Sequence, residues 1–138
     1  DYYKIPLKIE AYPLKKAVSF GSYNLIEAEI KNPNEFYYAT EIYISKPKEV
    51  EIIGEELKSI LLLPFENKKV FWVIRLDDSL DTSYSYTLPL IIRTINNISS
   101  ETSFTANVRE EHVSLEEVEE AARLLEEEKE KKYSRPPV

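Results

Sequence analysis

The sequence has no cysteine and no methionine, two glycines and one histidine. Without cysteine there can be no disulfide, no thiolate nucleophile and no zinc ribbon, and the redox compartment is left open. Gly21 and Gly54 are too few for a phosphate-cradling loop, so the P-loop and dinucleotide patterns are both excluded. His112 stands alone beside Glu110 and Glu111, and a three-histidine zinc site is impossible within one chain. A Ser-His-Asp triad would lack the glycine-flanked nucleophile elbow. These gaps predict a chain that is not an enzyme and that needs no cofactor. A competing enzymatic reading would require two carboxylates facing each other across a pocket, which spacing alone cannot reveal.

Long apolar runs are missing too. The longest, Ile60-Leu61-Leu62-Leu63-Pro64-Phe65, is far below the ~20 residues that cross a bilayer. Nothing in these residues therefore inserts directly into a membrane, and no basic-then-apolar leader opens the chain. Glutamine is absent as well, while Lys, Glu, Ile and Tyr abound. Loss of thermolabile residues beside Lys/Glu enrichment is the composition of hyperthermophile proteins. The missing methionine implies that Asp1 is not a natural start, so the expectation is a piece excised from a longer protein.

The 138 residues that are present are 43% hydrophobic and 12% aromatic, enough for one packed domain. The net charge of −7 argues against nucleic acid and against anionic lipid as partners. Most of the chain alternates with period two, the strand signal. Ile5, Leu7 and Ile9 share a face, as do Ile26, Ala28 and Ile30, and Thr40, Ile42 and Ile44. Val50 and Ile52 form a short piece before a turn at Gly54, and Ile60 to Leu63 form another. Val70, Trp72, Ile74 and Leu76 make one side of a strand whose other side, Phe71 and Val73, is also apolar, so it should be central and covered on both faces. Tyr84 to Ile92 and Thr102 to Val108 complete the set. Pro89 cannot donate a ladder hydrogen bond, so its strand must bulge or lie at an edge there.

Seven or eight short strands separated by Asn-, Pro- and Asp-rich turns predict an all-β fold, an antiparallel immunoglobulin-like β-sandwich over residues 1–112. Trp72, Ile74, Ile30, Ile42, Leu90 and Phe104 are its expected core. From residue 113 to 138 the period changes to that of a helix with a Pro-rich end. Ser114 with Glu117 reads as a capping box, and Val113 with Val118 as a hydrophobic staple. Early glutamates and late Lys129, Lys131 and Lys132 suit the helix dipole, and Arg135-Pro136-Pro137 ends it. Leu115, Val118, Ala121, Ala122 and Leu125 form an apolar stripe; Leu115, Val118, Ala122 and Leu125 are the candidate docking face. The stripe either packs on the sandwich or leads outward as a stalk.

Three further features compete as sites. Phe36, Tyr37 and Tyr38 close a loop and are candidate contacts for a ligand or partner, with Tyr2, Tyr3, Tyr12 and Tyr23 near other strand ends. Asp77, Asp78 and Asp81 fall in one loop, where calcium is one reading and turn-capping the other; no metal is assigned. Asn97-Ile98-Ser99 is an N-glycosylation sequon in a turn, with Asn97 as acceptor. Tyr84 or Tyr86 could form a tyrosine corner, but their spacing from Asp81 does not match the immunoglobulin pattern.

Asn24–Ser45 (NLIEAEIKNPNEFYYATEIYIS) and Pro64–Thr94 (PFENKKVFWVIRLDDSLDTSYSYTLPLIIRT) together resemble immunoglobulin-like modules, CARDB-type and related, of archaeal and bacterial surface proteins. The first segment resembles the family's strand, Asn-containing turn and strand; the second resembles its short turn, apolar strand and Tyr-rich strand. Where the pattern usually has Pro-Gly, this chain has Pro64-Phe65-Glu66-Asn67. The resemblance implies a non-catalytic interaction or spacer domain of an exported surface protein, here of a thermophilic archaeon. Its partners would be another protein or neighbouring domains of the same chain. The alternatives are a carbohydrate-binding module using the loop aromatics, and an intracellular, cytoplasmic protein-binding adaptor docking along a strand edge or the helix stripe.

Overall fold

The computed structural model describes residues 4–133, and side chains of the final helix as far as Glu128. Tyr2, Tyr3 and the proposed Arg135-Pro136-Pro137 stop lie outside the described residues, as do the side chains of Lys129, Lys131 and Lys132. The strands are β1 (Lys8–Pro13), β2 (Ala17–Val18), β3 (Tyr23–Lys31), β4 (Tyr38–Ser45), β5 (Val50–Ile53), β6 (Leu57–Leu62), β7 (Asn67–Leu76), β8 (Tyr86–Thr94) and β9 (Ser99–Ala106); α1 (Leu115–Tyr133) follows them.

Alternation along the strands divides them into two layers. One sheet has the order β1-β3-β7-β5 and the other β2-β9-β8-β4-β6. All pairings are antiparallel except the two-residue β2, which runs parallel to β9. This is the immunoglobulin layout of an A-B-E-D sheet over a G-F-C-C′ sheet. One departure matters later. The chain leaves β4 for the opposite sheet, makes β5 at its edge, then returns through Gly54 to make β6 beside β4. Gly54 has φ 95°, a backbone that side chains with Cβ rarely adopt, so glycine is what permits the corner.

The six residues expected in the core are all fully buried, Trp72 and Phe104 being the largest. The tryptophan's indole N–H donates to the Glu56 carbonyl at 2.9 Å, pinning the crossover segment to the core. β7 lies between β3 and β5, and its two apolar faces are covered, Trp72 and Ile74 by the core and Phe71 and Val73 on the side of α1. Pro89 resolves differently from a simple edge. β8 is interior to its sheet, but the β4 pairing stops at Ile91, so the missing N–H of Pro89 falls where no neighbour waits.

Helix α1 packs against the outer face of the first sheet. Ser114 caps it, its hydroxyl accepting the Glu117 N–H at 3.2 Å. Val113 and Val118 are wholly buried, and Ala121, Ala122 and Leu125 rest on the core cluster beside Phe71 and Val73. Leu25, on the outward side of β3, is buried as a consequence. The linker is strapped down as well: Tyr23 N–H donates to the Val113 carbonyl and Val113 N–H to the Ser22 hydroxyl. The stripe thus docks on the sandwich through Leu125.

One end of the sandwich is closed by buried amides. Asn32 Nδ2 donates to the Phe36 and Leu63 carbonyls at 2.9 and 3.0 Å, while its Oδ1 accepts both N–H and Nδ2 of Asn34. Asn34 in turn exchanges two hydrogen bonds with the backbone of Ile5. The Asn-containing turn of the sequence is therefore a clasp joining three segments. At the opposite end the Tyr86 hydroxyl donates to the Asp81 carbonyl at 3.1 Å, five residues upstream at the start of β8. That is a tyrosine corner. The unusual spacing does not prevent it, because the turn at Asp81–Tyr84 brings the Asp81 carbonyl within reach of the Tyr86 hydroxyl.

Candidate functional site

Strand length creates an opening on one side of the sandwich. β7 has ten residues but β5 covers only its last four, from Val73 to Leu76. Phase then decides which backbone groups are left over. Leu76 N–H bonds toward β3, at Ser22, and Asp77 N–H bonds the other way, toward Glu49 beside β5. Antiparallel alternation carries this along the strand, so the N–H and C=O of Lys69 and Phe71 face the uncovered edge. On the other sheet β6 is an edge strand, and the same phase argument turns Leu57, Ser59 and Leu61 outward from β4.

Between these two edges runs a groove of about 820 Å³. Val70 and Ile60 form its apolar floor, Leu61 and Phe71 its sides, and Leu125 with Glu128 of α1 stand at one rim. Glu55 of the crossover stands at another. Three lysines face it. Lys68 is committed, its Nζ donating to the Leu61 carbonyl at 2.9 Å and pairing with Glu66 at 4.0 Å. Lys58 lies over Phe71 and Trp72, 5.9 and 5.8 Å from the ring centres. Among the described residues, neither Lys58 nor Lys69 has a carboxylate within 4 Å. Glu29, also in the lining, is already paired with Lys31.

The residues named from the sequence scatter differently. Phe36 is half-buried, Tyr37 is 64% exposed and Tyr38 only 6%. Tyr38 opens the inward phase of β4, and its ring carries the Lys4 ammonium at 4.9 Å. The three aromatics therefore do not form one exposed platform, which corrects the expectation of a joint contact surface. Val118, Ala122 and Leu125 pack on their own sheet, with Leu125 alone of the stripe reaching the groove, while Leu115 is half-buried at the start of the helix. Asn97 sits exposed at the β8–β9 turn with φ 67°, where its side chain projects freely. His112 is exposed in the linker.

Asp77, Asp78 and Asp81 do not converge. Asp77 accepts the Ser79 N–H at 3.0 Å and Asp81 the Ser83 N–H at 2.9 Å, bonds that hold both carboxyls below the usual aspartate range. Asp78 pairs with Arg75 at 3.7 Å. No cluster of three metal-ligating side chains occurs among the described residues. Outside the groove, desolvation and a hydrogen bond to the Glu27 carboxylate push the Tyr12 phenol well above the ordinary tyrosine value, with Glu29 and Glu10 adding to the effect.

The groove escaped sequence reasoning because it depends on where one strand stops covering another. The signal available was the mismatch between a short Val50–Ile52 piece and a long strand ending at Leu76.

No protein-family model matches the chain, and no curated protein does. Solved structures do. A FixG-related protein from Vibrio parahaemolyticus aligns with TM-score 0.54 and 13% identity, over 76% of this chain and 98% of that one. The alkylpurine DNA glycosylase AlkC of Pseudomonas fluorescens aligns with TM-score 0.53 and 9% identity, over 73% of this chain. The match spans only 30% of the glycosylase. These likenesses establish a shared fold and nothing about activity. No described helix is long and apolar enough to cross a membrane.

Proposed function

We propose that the chain is a non-catalytic immunoglobulin-like interaction module whose partner-binding site is the groove between β6 and β7. The observation that carries this reading is the half-covered β7, which leaves strand-pairing groups of Lys69 and Phe71 beside an apolar floor. A protein partner, or a neighbouring domain of the same polypeptide, supplies the matching surface. The module belongs to an exported surface protein of a thermophilic archaeon and is related to the CARDB-type modules. The composition supports a thermophilic origin, and the Asn24–Ser45 and Pro64–Thr94 patterns support the family. Asn97, exposed at a turn tip, is its glycosylation site.

Position-dependent photocrosslinking tests the reading. A benzophenone side chain at Leu61, 51% exposed beside the groove, should capture a defined partner in the source cells. The same probe at Thr87, on the opposite face, should not. Equal labelling from both positions would overturn the proposal.

A further inference from the structure

The groove specifies the shape of what enters it. Resting on the reading of this groove as a protein-binding site, we infer that its occupant is one extended segment of a partner polypeptide that continues the sheet beyond β5. The segment lays its backbone against Lys69 and Phe71. It carries an apolar side chain opposite Val70 and a carboxylate opposite Lys69.

β5 is the model for that chemistry, since it already occupies the adjoining stretch of the same edge. Val50 and Ile52 face inward opposite Leu76 and Ile74, while Glu51 lies outward opposite Arg75. Two residues per repeat carry the pattern on: Lys69 stands in the same outward phase as Arg75, and Val70 in the same inward phase as Ile74. A strand in β5's line therefore meets a cation on one face and apolar residues on the other. Lys69 has no carboxylate within 4 Å among the described residues, its cross-strand neighbour Glu29 being paired with Lys31, and Lys58 lies at the inner side over Phe71 and Trp72.

A second copy of this chain is the poorer occupant. The crossover at Glu55 and the helix residues Leu125 and Glu128 stand at the rims, where they crowd a second β7 edge more than a single extended segment. The early segment that could have supplied a free strand is held at Ile5 by Asn34.

The probe is acetyl-Glu-Val-Glu-Ile-Ile-amide, the sequence of residues 49–53, titrated into the ¹⁵N-labelled full chain. Saturable shifts should centre on the amides of Lys69, Phe71, Ser59 and Leu61. Lys69→Glu should weaken binding about two- to fivefold, the size of one screened ion pair, and should favour the acetyl-Lys-Val-Lys-Ile-Ile-amide control instead. No saturable shift at Lys69 and Phe71 up to millimolar peptide would overturn the inference. So would shifts centred on Tyr43 and Leu57, or a dimer of the free chain that blocks the edge. Site-specific capture at Leu61 together with peptide failure would remove the strand mode and leave the module reading standing.

Discussion

Removing the Asn32 side chain should be among the most damaging single changes to this fold that spare its apolar core. Asn32 is 2% exposed and its amide serves four partners: the Phe36 and Leu63 carbonyls, and the N–H and Nδ2 of Asn34. Asn32→Ala takes a partner from all four; the Leu63 carbonyl keeps the Glu66 N–H and Asn34 Nδ2 keeps the Ile5 carbonyl, so the Asn34 N–H suffers most. A buried group left without its partner costs about 1–3 kcal/mol, with donors suffering more than carbonyls that keep a second lone pair. Water entering the vacated space will satisfy some of the rest, so about 2–3 kcal/mol is the expected net loss. That is a large fraction of the roughly 5–15 kcal/mol typical of whole domains. The damage should spread, because Asn34 loses the neighbour that orients it against Ile5. Urea unfolding of Asn32→Ala, Asn34→Ala and the double variant measures it. The two singles should sum to more than the double, since they share hydrogen bonds. Asn96→Ala, whose contact with the Tyr38 hydroxyl is 3.4 Å long at the surface, should cost little. A loss below about 1 kcal/mol for Asn32→Ala would refute the clasp as a stabilising device.

Other outcomes follow from single residues. Phe65 is 66% exposed with φ 58°, at the third position of a turn closed by Glu66 N–H to the Leu63 carbonyl, so Phe65→Gly should stabilise by about 0.5–1 kcal/mol in the same assay. Val118→Ser should cost about 2 kcal/mol and open Arg123 to trypsin, whereas a free stalk would be indifferent. The raised Tyr12 phenol keeps its proton longer when folded, so its contribution is complete below about pH 10 and lost as pH climbs through the folded value. Ultraviolet titration should find one late-ionising tyrosine that Tyr12→Phe removes.

Local pattern made much of this architecture legible before any coordinates. Period two in Val70, Trp72, Ile74 and Leu76 is a direct consequence of pleat geometry, as is the change of period after Val113. Phe65 holds φ 58° in a turn where glycine would take the same conformation without strain, which is why the Pro64-Phe65 pair gave no turn signal as plain as Pro-Gly. Tyr38 was misread by composition when its phase with Thr40, Ile42 and Ile44 already placed it inward. The tyrosine corner was misjudged because a count of residues does not describe how a turn folds back. The groove lay deepest, since an uncovered edge follows from the pairing of distant strands and from a chain that changes sheet at Gly54.

The central claim is that β7 has an open edge over Lys69 and Phe71, and amide hydrogen exchange of the free chain reads it residue by residue. Exchange should be slow at Val70 and Trp72, which bond to β3, and faster by orders of magnitude at Lys69 and Phe71, which alternate with them. Uniform protection from Lys68 to Trp72 would mean that something already pairs with this edge, and would contradict the account.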